Sequence, residues 1–296
     1  MITARNLTKK FDSFIALDSV SFEFDDGEIF GIIGHNGAGK TTLLKILSGL
    51  IAPTSGDLCI NNIDVVKNPL ALKEFLGYLP EESHLYETMT AENYLAFFGE
   101  IYGLSPQEIS SRSSRLFSAL SLETEGKKLG EFSKGMKRKV AIARSLIHEP
   151  KFLVYDEATS GLDPMTSRFI TDYMRTLKKE EKTIVLSAHN LYQVESVCDK
   201  VMILRRGKVV AFGNMHELRD QFGSFTYTIF FSIDDPGKLV LSRKPCRQED
   251  GFFICEAQDI KELNELTGII TESGGSVEKI ESRYPSLEEM LVKIGK

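Results

Sequence analysis

The stretch Gly34-His35-Asn36-Gly37-Ala38-Gly39-Lys40-Thr41 constrains this chain more than any other because of what flanks it. Glu28-Ile29-Phe30-Gly31-Ile32-Ile33 before it is a short apolar run of strand character, and Thr41-Thr42-Leu43-Leu44-Lys45-Ile46-Leu47 after it has helical spacing. A strand that feeds a glycine-rich loop into a helix N-terminus gathers backbone N–H groups around a concavity and adds the positive end of the helix dipole. Closed by a lysine and a hydroxyl residue, such a loop suits the phosphates of a nucleoside triphosphate. Lys40 would reach the β- and γ-phosphates, and the Thr41 hydroxyl would ligate Mg²⁺. In the helix that follows, Leu43, Leu47 and Leu50 fall at i, i+4 and i+7, which predicts one buried stripe ending at Pro53.

The rest of the chain reads as a large α/β domain with a small appendage. Ser21-Phe22-Glu23-Phe24 alternates as a half-buried strand before the turn Asp25-Asp26-Gly27. From about residue 85 to 150 strand patterns give way to capped helices, predicting a helical subdomain. Thr90 opens one helix, and Ser105-Pro106-Gln107-Glu108 forms a capping box with proline at the first helical position. Arg112 and Arg115 read as the wet face of that second helix. Apolar strands return at Phe152–Tyr155, Thr183–Leu186 and Val201–Leu204, the first two suited to a parallel sheet covered on both faces. Arg205-Arg206-Gly207-Lys208 reads as a hairpin turn. Character changes near Gly223, so residues 1–221 are expected to form one domain and 222–296 a small α+β unit. That unit has strands at Phe225–Ile233, Gly251–Cys255 and Ser276–Glu281 and a helix capped by Asp259 and Glu262.

Composition narrows the function classes. A formal net charge of −6 gives no basic footprint for nucleic acid. No run approaches the ~18 apolar residues of a membrane-spanning helix, and Met1–Lys10 lacks the apolar core of a secretory signal. A membrane role is therefore expected to come through a partner. Cys59, Cys198, Cys246 and Cys255 are widely spaced in sequence, with no C-x-x-C pair, and read as free thiols.

Three further segments carry chemistry. Phe152-Leu153-Val154-Tyr155-Asp156-Glu157 is an apolar strand ending in two carboxylates. Asp156, at the strand's C-terminal edge, is placed to hold Mg²⁺, and Glu157 to polarise a water in line with the γ-phosphate. His189 follows the strand Ile184–Ser187 at the same sheet edge, where ligands collect, and is a candidate sensor of the γ-phosphate. Phe132-Ser133-Lys134-Gly135-Met136 precedes a long helical pattern. Ser133 reads as its N-cap; Ser133, Gly135 and the helix N-terminus together would also make an anion site. Lys134, Lys137, Arg138 and Lys139 would strengthen it, although such a charge run usually marks a solvated face.

In this order the motifs resemble the nucleotide-binding subunits of the ATP-binding cassette family, over residues 1 to about 220. The resemblance implies a P-loop NTPase core with a parallel sheet, an N-terminal antiparallel β part and a helical subdomain. Phe11 matches the aromatic that stacks on adenine, and Gly34, His35, Asn36, Gly37, Ala38, Gly39, Lys40, Thr41 and Thr42 match the ATP loop. Asp156 and Glu157 match the carboxylate strand with its catalytic glutamate, and His189 the switch histidine. Ser160-Gly161-Leu162-Asp163 is similar to the D-loop, which puts Asp163 at the nucleotide. Phe132–Met136 is similar to the family signature, usually Leu-Ser-Gly-Gly-Gln, with Ser133 and Gly135 retained. Gly77-Tyr78-Leu79-Pro80-Glu81-Glu82 carries Glu81 where the family usually has glutamine. Glutamate still ligates Mg²⁺ but when ionised cannot donate a hydrogen bond.

The resemblance implies ATP and Mg²⁺ as cofactors, and catalysis through Glu157, His189 and Lys40. It also implies a second ATPase subunit, a homodimer being the favoured arrangement, whose Ser133 and Gly135 close the site. A separately encoded transmembrane permease would hold the chain at the inner face of the membrane. Tyr284–Lys293 resembles the closing segment of exporter-type subunits, and also reads as an amphipathic helix burying Leu287, Met290, Leu291 and Ile294. The expectation is the ATPase subunit of an exporter, with no nucleic-acid partner. The alternatives are a soluble cassette ATPase acting on nucleic acid or ribosomes, and a non-hydrolysing regulatory cassette.

Overall fold

The computed structural model describes residues 1–188, 190–222, 226–233, 246–249, 251–284 and 286–295, with side chains to Val292. His189 and the start of the strand expected at Phe225 lie outside the described residues, as do the side chains of Lys293 and Ile294. The chain divides into two compact units, Met1–Met215 and His216–Lys296, where the sequence put the boundary after residue 221.

In the first unit, β1 (Ile2–Phe11), β2 (Phe14–Phe24), β3 (Ile29–Ile33) and α1 (Lys40–Leu47) come first. They are followed by β4 (Ser55–Ile60), β5 (Ile63–Asp64), α2 (Pro69–Lys73) and β6 (Leu76–Leu79). Three α-helices come next, α3 (Ala91–Ile101), α4 (Pro106–Ala119) and α5 (Lys134–Leu146), with a 3₁₀ turn at Leu129–Glu131. The unit closes with β7 (Phe152–Asp156), α6 (Pro164–Lys179), β8 (Thr183–Ser187), α7 (Leu191–Val197), β9 (Lys200–Arg205) and β10 (Lys208–Asn214). An antiparallel sheet runs β2-β1-β4-β5, and a six-stranded sheet runs β10-β9-β3-β8-β7-β6. All neighbours in the larger sheet are parallel except β10, which returns beside β9 through the turn at Arg206-Gly207.

One apolar core joins the two sheets. Phe22 and Phe24 of β2 stack on Phe30 of β3, with Phe24 and Phe30 ring centroids 4.5 Å apart, and Leu43, Leu44 and Leu47 of α1 pack into the same cluster. Strands β3, β7 and β8 are buried along their whole length, as expected of a parallel sheet covered on both faces. The predicted stripe of α1 is shorter than its spacing suggested. The helix stops at Leu47 with Ser48 as C-cap, and Leu50, beyond it, is half exposed. The capping box at Ser105–Glu108 forms in full. Arg112 departs from the expected wet face: its side chain is largely covered and donates to the Ile147 carbonyl at 3.2 Å, pinning α4 to the end of α5.

The second unit carries α8, which begins at the boundary (Met215–Phe222), β11 (Thr226–Ser232), β12 (Arg247–Glu249) and β13 (Phe252–Ala257). Then come α9 (Ile260–Glu272), β14 (Ser276–Arg283) and α10 (Leu287–Gly295). Its antiparallel sheet runs β12-β13-β11-β14, and Leu266 and Ile270 of α9 pack on Ile229, Phe231 and Cys255. Asp259 caps α9, but the Glu262 carboxylate accepts from the Gln258 N–H, one residue before the cap. Leu287 and Met290 of α10 are fully buried, and Leu291 is partly so. Cys246 and Cys255, nine residues apart in sequence, are free thiols that stand within hydrogen-bonding reach of each other.

Candidate nucleotide site

The parallel sheet sets the site. Three of its strands deliver loops at one edge: β3 into Gly34–Gly39, β7 into Glu157, and β8 into Ala188. Ser187 lies level with Ile32 on one side and Asp156 on the other, so the ends of the three strands stand side by side.

The loop Gly34–Gly39 is held by contacts only glycine permits. Gly39 has φ 107°, and a Cβ there would stand 2.6 Å from the Ala16 carbonyl oxygen. A Cβ on Gly34 would stand 2.3 Å from that of Leu204. The Gly207 N–H donates to the Ala38 carbonyl, and the Asp18 N–H donates to that of Gly207. The loop thus lies against β2 and the β9–β10 turn. Gly39 is the N-cap of α1 and supplies no side chain to accept from the first-turn N–H groups, and that turn has no acidic residue. A helix N-terminus left without an internal acceptor offers its amides to an external anion. His35, Asn36, Gly37 and Thr41 are exposed along it, with Thr42 half-buried.

Lys40 is buried to 7% exposure, its Nζ donating to the Gly34 carbonyl at 2.7 Å and to that of His35 at 3.4 Å. Burial holds its pKa below the ordinary lysine value, opposed by the charges of Glu157, Asp156 and Glu81. These are the carboxylates singled out from the sequence, so the structure brings all three within electrostatic reach of Lys40. Asp156 is buried and accepts from the Ser187 hydroxyl. Glu157 sits in the left-handed region at φ 49°, a conformation that costs a non-glycine residue about 1–2 kcal/mol. Its N–H donates to the Ser187 hydroxyl at 3.1 Å and to the Ser187 carbonyl at 3.2 Å. A cavity of about 690 Å³ opens beside it, lined among others by Ser160, Gly161, Leu162 and Gln193.

Among the described residues no group of three or more His, Cys, Asp or Glu side chains is arranged to hold a metal. The hydroxyl of Thr41 and the carboxylates of Asp156 and Glu81 are oxygen donors of the type Mg²⁺ takes, and that ion would keep waters and draw its remaining oxygens from substrate phosphates.

The other predicted residues lie elsewhere on this unit. Phe11 ends β1 nearly half exposed, with the Lys9 ammonium 4.9 Å from its ring centroid. Ser133 caps α5 by accepting from the Met136 N–H, and Asp163 caps α6 by accepting from the Thr166 N–H. These two helix starts abut: a Cβ on Gly135 would meet the Thr166 side chain at 3.2 Å, and one on Gly161 would strike the Lys134 ammonium. Lys134 therefore lies on the D-loop of its own chain.

Arg138 departs from the solvated charge run of which it is part. It is 7% exposed and donates to main-chain carbonyls of Pro80, Glu81, Asp156, Glu157 and Ala158. Burial lowers its pKa to about 10. Helical spacing could have found it: Arg138 stands four residues before Ile142, on the side of α5 that also buries Ala141 and Ser145.

Relatives of known sequence and structure give the family of the chain. The family model described as ABC transporter matches residues 17–160. The ABC transporter ATP-binding protein NatA of Bacillus subtilis (strain 168) is 38% identical over 224 residues, covering 74% of this chain and 91% of NatA. The Nod factor export ATP-binding protein I of Rhizobium sp. (strain N33) is 29% identical over 299 residues, 99% of this chain and 96% of that one. Among solved structures, the dimeric post-hydrolysis state of the ATP-binding cassette MJ0796 with ADP and Pi superposes with a TM-score of 0.67 at 26% identity. The match covers 73% of this chain and 99% of that one. The chain belongs to the ATP-binding subunits of ABC transporters, with the P-loop NTPase fold of that family, and is an ATP hydrolase.

Proposed function

We propose that the chain is the ATPase subunit of a membrane exporter, working as a dimer beside a separately encoded transmembrane permease. The observation that carries the ATPase chemistry is that Glu81, Asp156 and Glu157 stand within electrostatic reach of Lys40, the first residue of a helix whose N-terminus has no side-chain cap. ATP would lie with its phosphates on the amides of Gly34–Thr42 and its adenine on Phe11. Thr41, Asp156 and Glu81 would hold Mg²⁺, which neutralises charge on the phosphate oxygens. Glu157 takes a proton from the water that attacks the γ-phosphorus, the bond to the bridging oxygen breaks, and ADP and phosphate leave. His189, which comes two residues after Ser187 in sequence, would report the γ-phosphate. Ser133, Gly135 and Asp163 of a second copy would close the site, in keeping with their position at the starts of α5 and α6.

Support for a permease comes from a second surface. A cavity of about 230 Å³ is lined by Leu50, Leu76, Tyr78, Phe98, Tyr102 and His148 among others, and α3 also exposes Phe97 and Ile101. An apolar groove with exposed aromatics fits a protein partner. No helix among the described residues is long and apolar enough to cross a membrane. Export is favoured by the Nod factor relative, which aligns along nearly the whole chain. The domain division proposed is residues 1–221 for the cassette, with its helical subdomain, and 222–296 for the accessory unit.

Glu157→Gln is the deciding variant. Hydrolysis should fall about 10²–10⁴-fold, the share carried by a positioned base, while ATP drives the protein to a dimer in size-exclusion chromatography with light scattering. Wild-type turnover in this variant removes Glu157 from the role.

A further inference from the structure

We propose that Arg138 is a positioning residue that ties the Glu81 loop to the Asp156–Glu157 loop, so that the two move as one body. The Nη1 group donates to the Pro80 carbonyl at 2.7 Å, the Glu81 carbonyl at 3.0 Å and the Ser83 hydroxyl at 3.2 Å. The Nη2 group donates to the Asp156 carbonyl at 3.0 Å and the Glu157 carbonyl at 2.8 Å, and Nε to the Ala158 carbonyl at 2.8 Å. One edge of a rigid, planar guanidinium thus serves each loop, a geometry that a lysine ammonium cannot reproduce.

What Arg138 grips gives the contact its consequence. Residues 80–84 form no helix or strand, and on the other side Glu157 holds a left-handed backbone at φ 49°. Ser187 fixes the N–H of that residue, and Arg138 fixes its carbonyl. Peptide planes clamped on both sides keep the carboxylate aimed, and a shift of the Glu81 loop reaches Glu157 through one side chain. A displacement near 1 Å at a reacting group is enough to cost on the order of 10²-fold in rate. Further along α5, Arg144 joins β6 to α3, donating to the Tyr78 carbonyl at 3.4 Å and the Tyr94 hydroxyl at 3.2 Å.

The inference rests on Glu157 acting on the attacking water, so Glu157→Gln is assayed in parallel with Arg138→Gln and Arg138→Lys. Steady-state hydrolysis gives kcat and KM, a fluorescent ATP analogue gives affinity, and hydrogen exchange follows peptides spanning residues 80–84 and 156–159. In Arg138→Gln, kcat should drop about 10- to 100-fold with nucleotide affinity held within about threefold. Exchange should rise in both peptides together, and Arg138→Lys should recover part of the rate. Should Arg138→Gln fail to fold, Arg138→Lys, which keeps the buried charge, is read against wild type by the same measures. Unchanged kcat, an equal fall in kcat and affinity, or faster exchange in only one peptide overturns the proposal. If Glu157→Gln hydrolyses normally, the role of Glu157 falls instead, and the exchange data still decide whether the loops are tied.

Discussion

His148 makes the stability of the ATP-binding unit depend on pH in a window of its own. It follows α5, its Nε2 paired at 3.0 Å with the Leu76 carbonyl and its ring stacked on Tyr102 at a centroid distance of 3.7 Å. Nδ1 is buried without a partner. Protonation would put a second N–H and a charge where no acceptor waits. Burial, assisted by the nearby charges of Lys182 and Arg112 and opposed by the Leu76 hydrogen bond, lowers the pKa to about 4. Between that value and the ordinary 6.5, the unfolded chain binds a proton that the native protein does not, so stability falls as pH falls through this interval. At 1.36 kcal/mol per pH unit, the displacement from 6.5 to about 4 amounts to about 3 kcal/mol. Urea unfolding of wild type and His148→Gln at pH 7.5, 6.5, 5.5 and 4.5, followed by circular dichroism, measures it. The variant starts lower by about 1 kcal/mol through altered packing and hydrogen bonding, but its stability should decline less between pH 6.5 and 4.5. Carboxylates held below their ordinary 4.5, such as Glu108 by Ser105 and Glu149 by Arg115, lose their contribution only at more acid pH. Parallel curves for the two proteins in the upper window refute the reasoning.

Two substitutions test the nucleotide site. Lys40→Ala removes a charge-assisted contact of about 1.5–3 kcal/mol, so ATP affinity measured by calorimetry should fall roughly 10- to 150-fold; unchanged affinity rules out Lys40 as the phosphate lysine. Glu81→Gln should leave basal hydrolysis within about twofold, because an amide oxygen can still face the metal, while stimulation by the co-expressed permease changes. Equal stimulation in both forms removes Glu81 from the coupling role.

The P-loop strand and helix, the carboxylate strand and the helical insert were legible because each is local. Period, caps and glycine positions lie within a few residues of one another. Arg138 was harder to read, since its neighbours Lys137 and Lys139 have the same charge and nothing nearby in sequence reveals that its acceptors stand as many as 58 residues away. Arg112 misled for the same reason: its covered position depends on the end of α5, a partner outside its own helix. Leu50 continued the leucine spacing beyond the point where Ser48 caps α1, and spacing alone does not mark where a helix stops. Strand β12 is three exposed residues that exist through pairing with β13, a condition no local pattern carries.

The crossing of β2, the ATP loop and the β9–β10 turn is made almost wholly of main chain. A Cβ on either Gly39 or Gly207 would meet the same Ala16 oxygen, at 2.6 Å and 2.7 Å. Such a junction depends little on the Ala16 side chain, although the Asp18 carboxylate also pairs with Lys208 across it at 3.2 Å, and it has no slack for added length. One inserted residue between Ala16 and Asp18 would put every later β2 residue on the opposite face of its sheet and move the strut under the loop. Descendants of this chain can therefore vary the exposed positions of β2, while its buried positions and its length stay frozen.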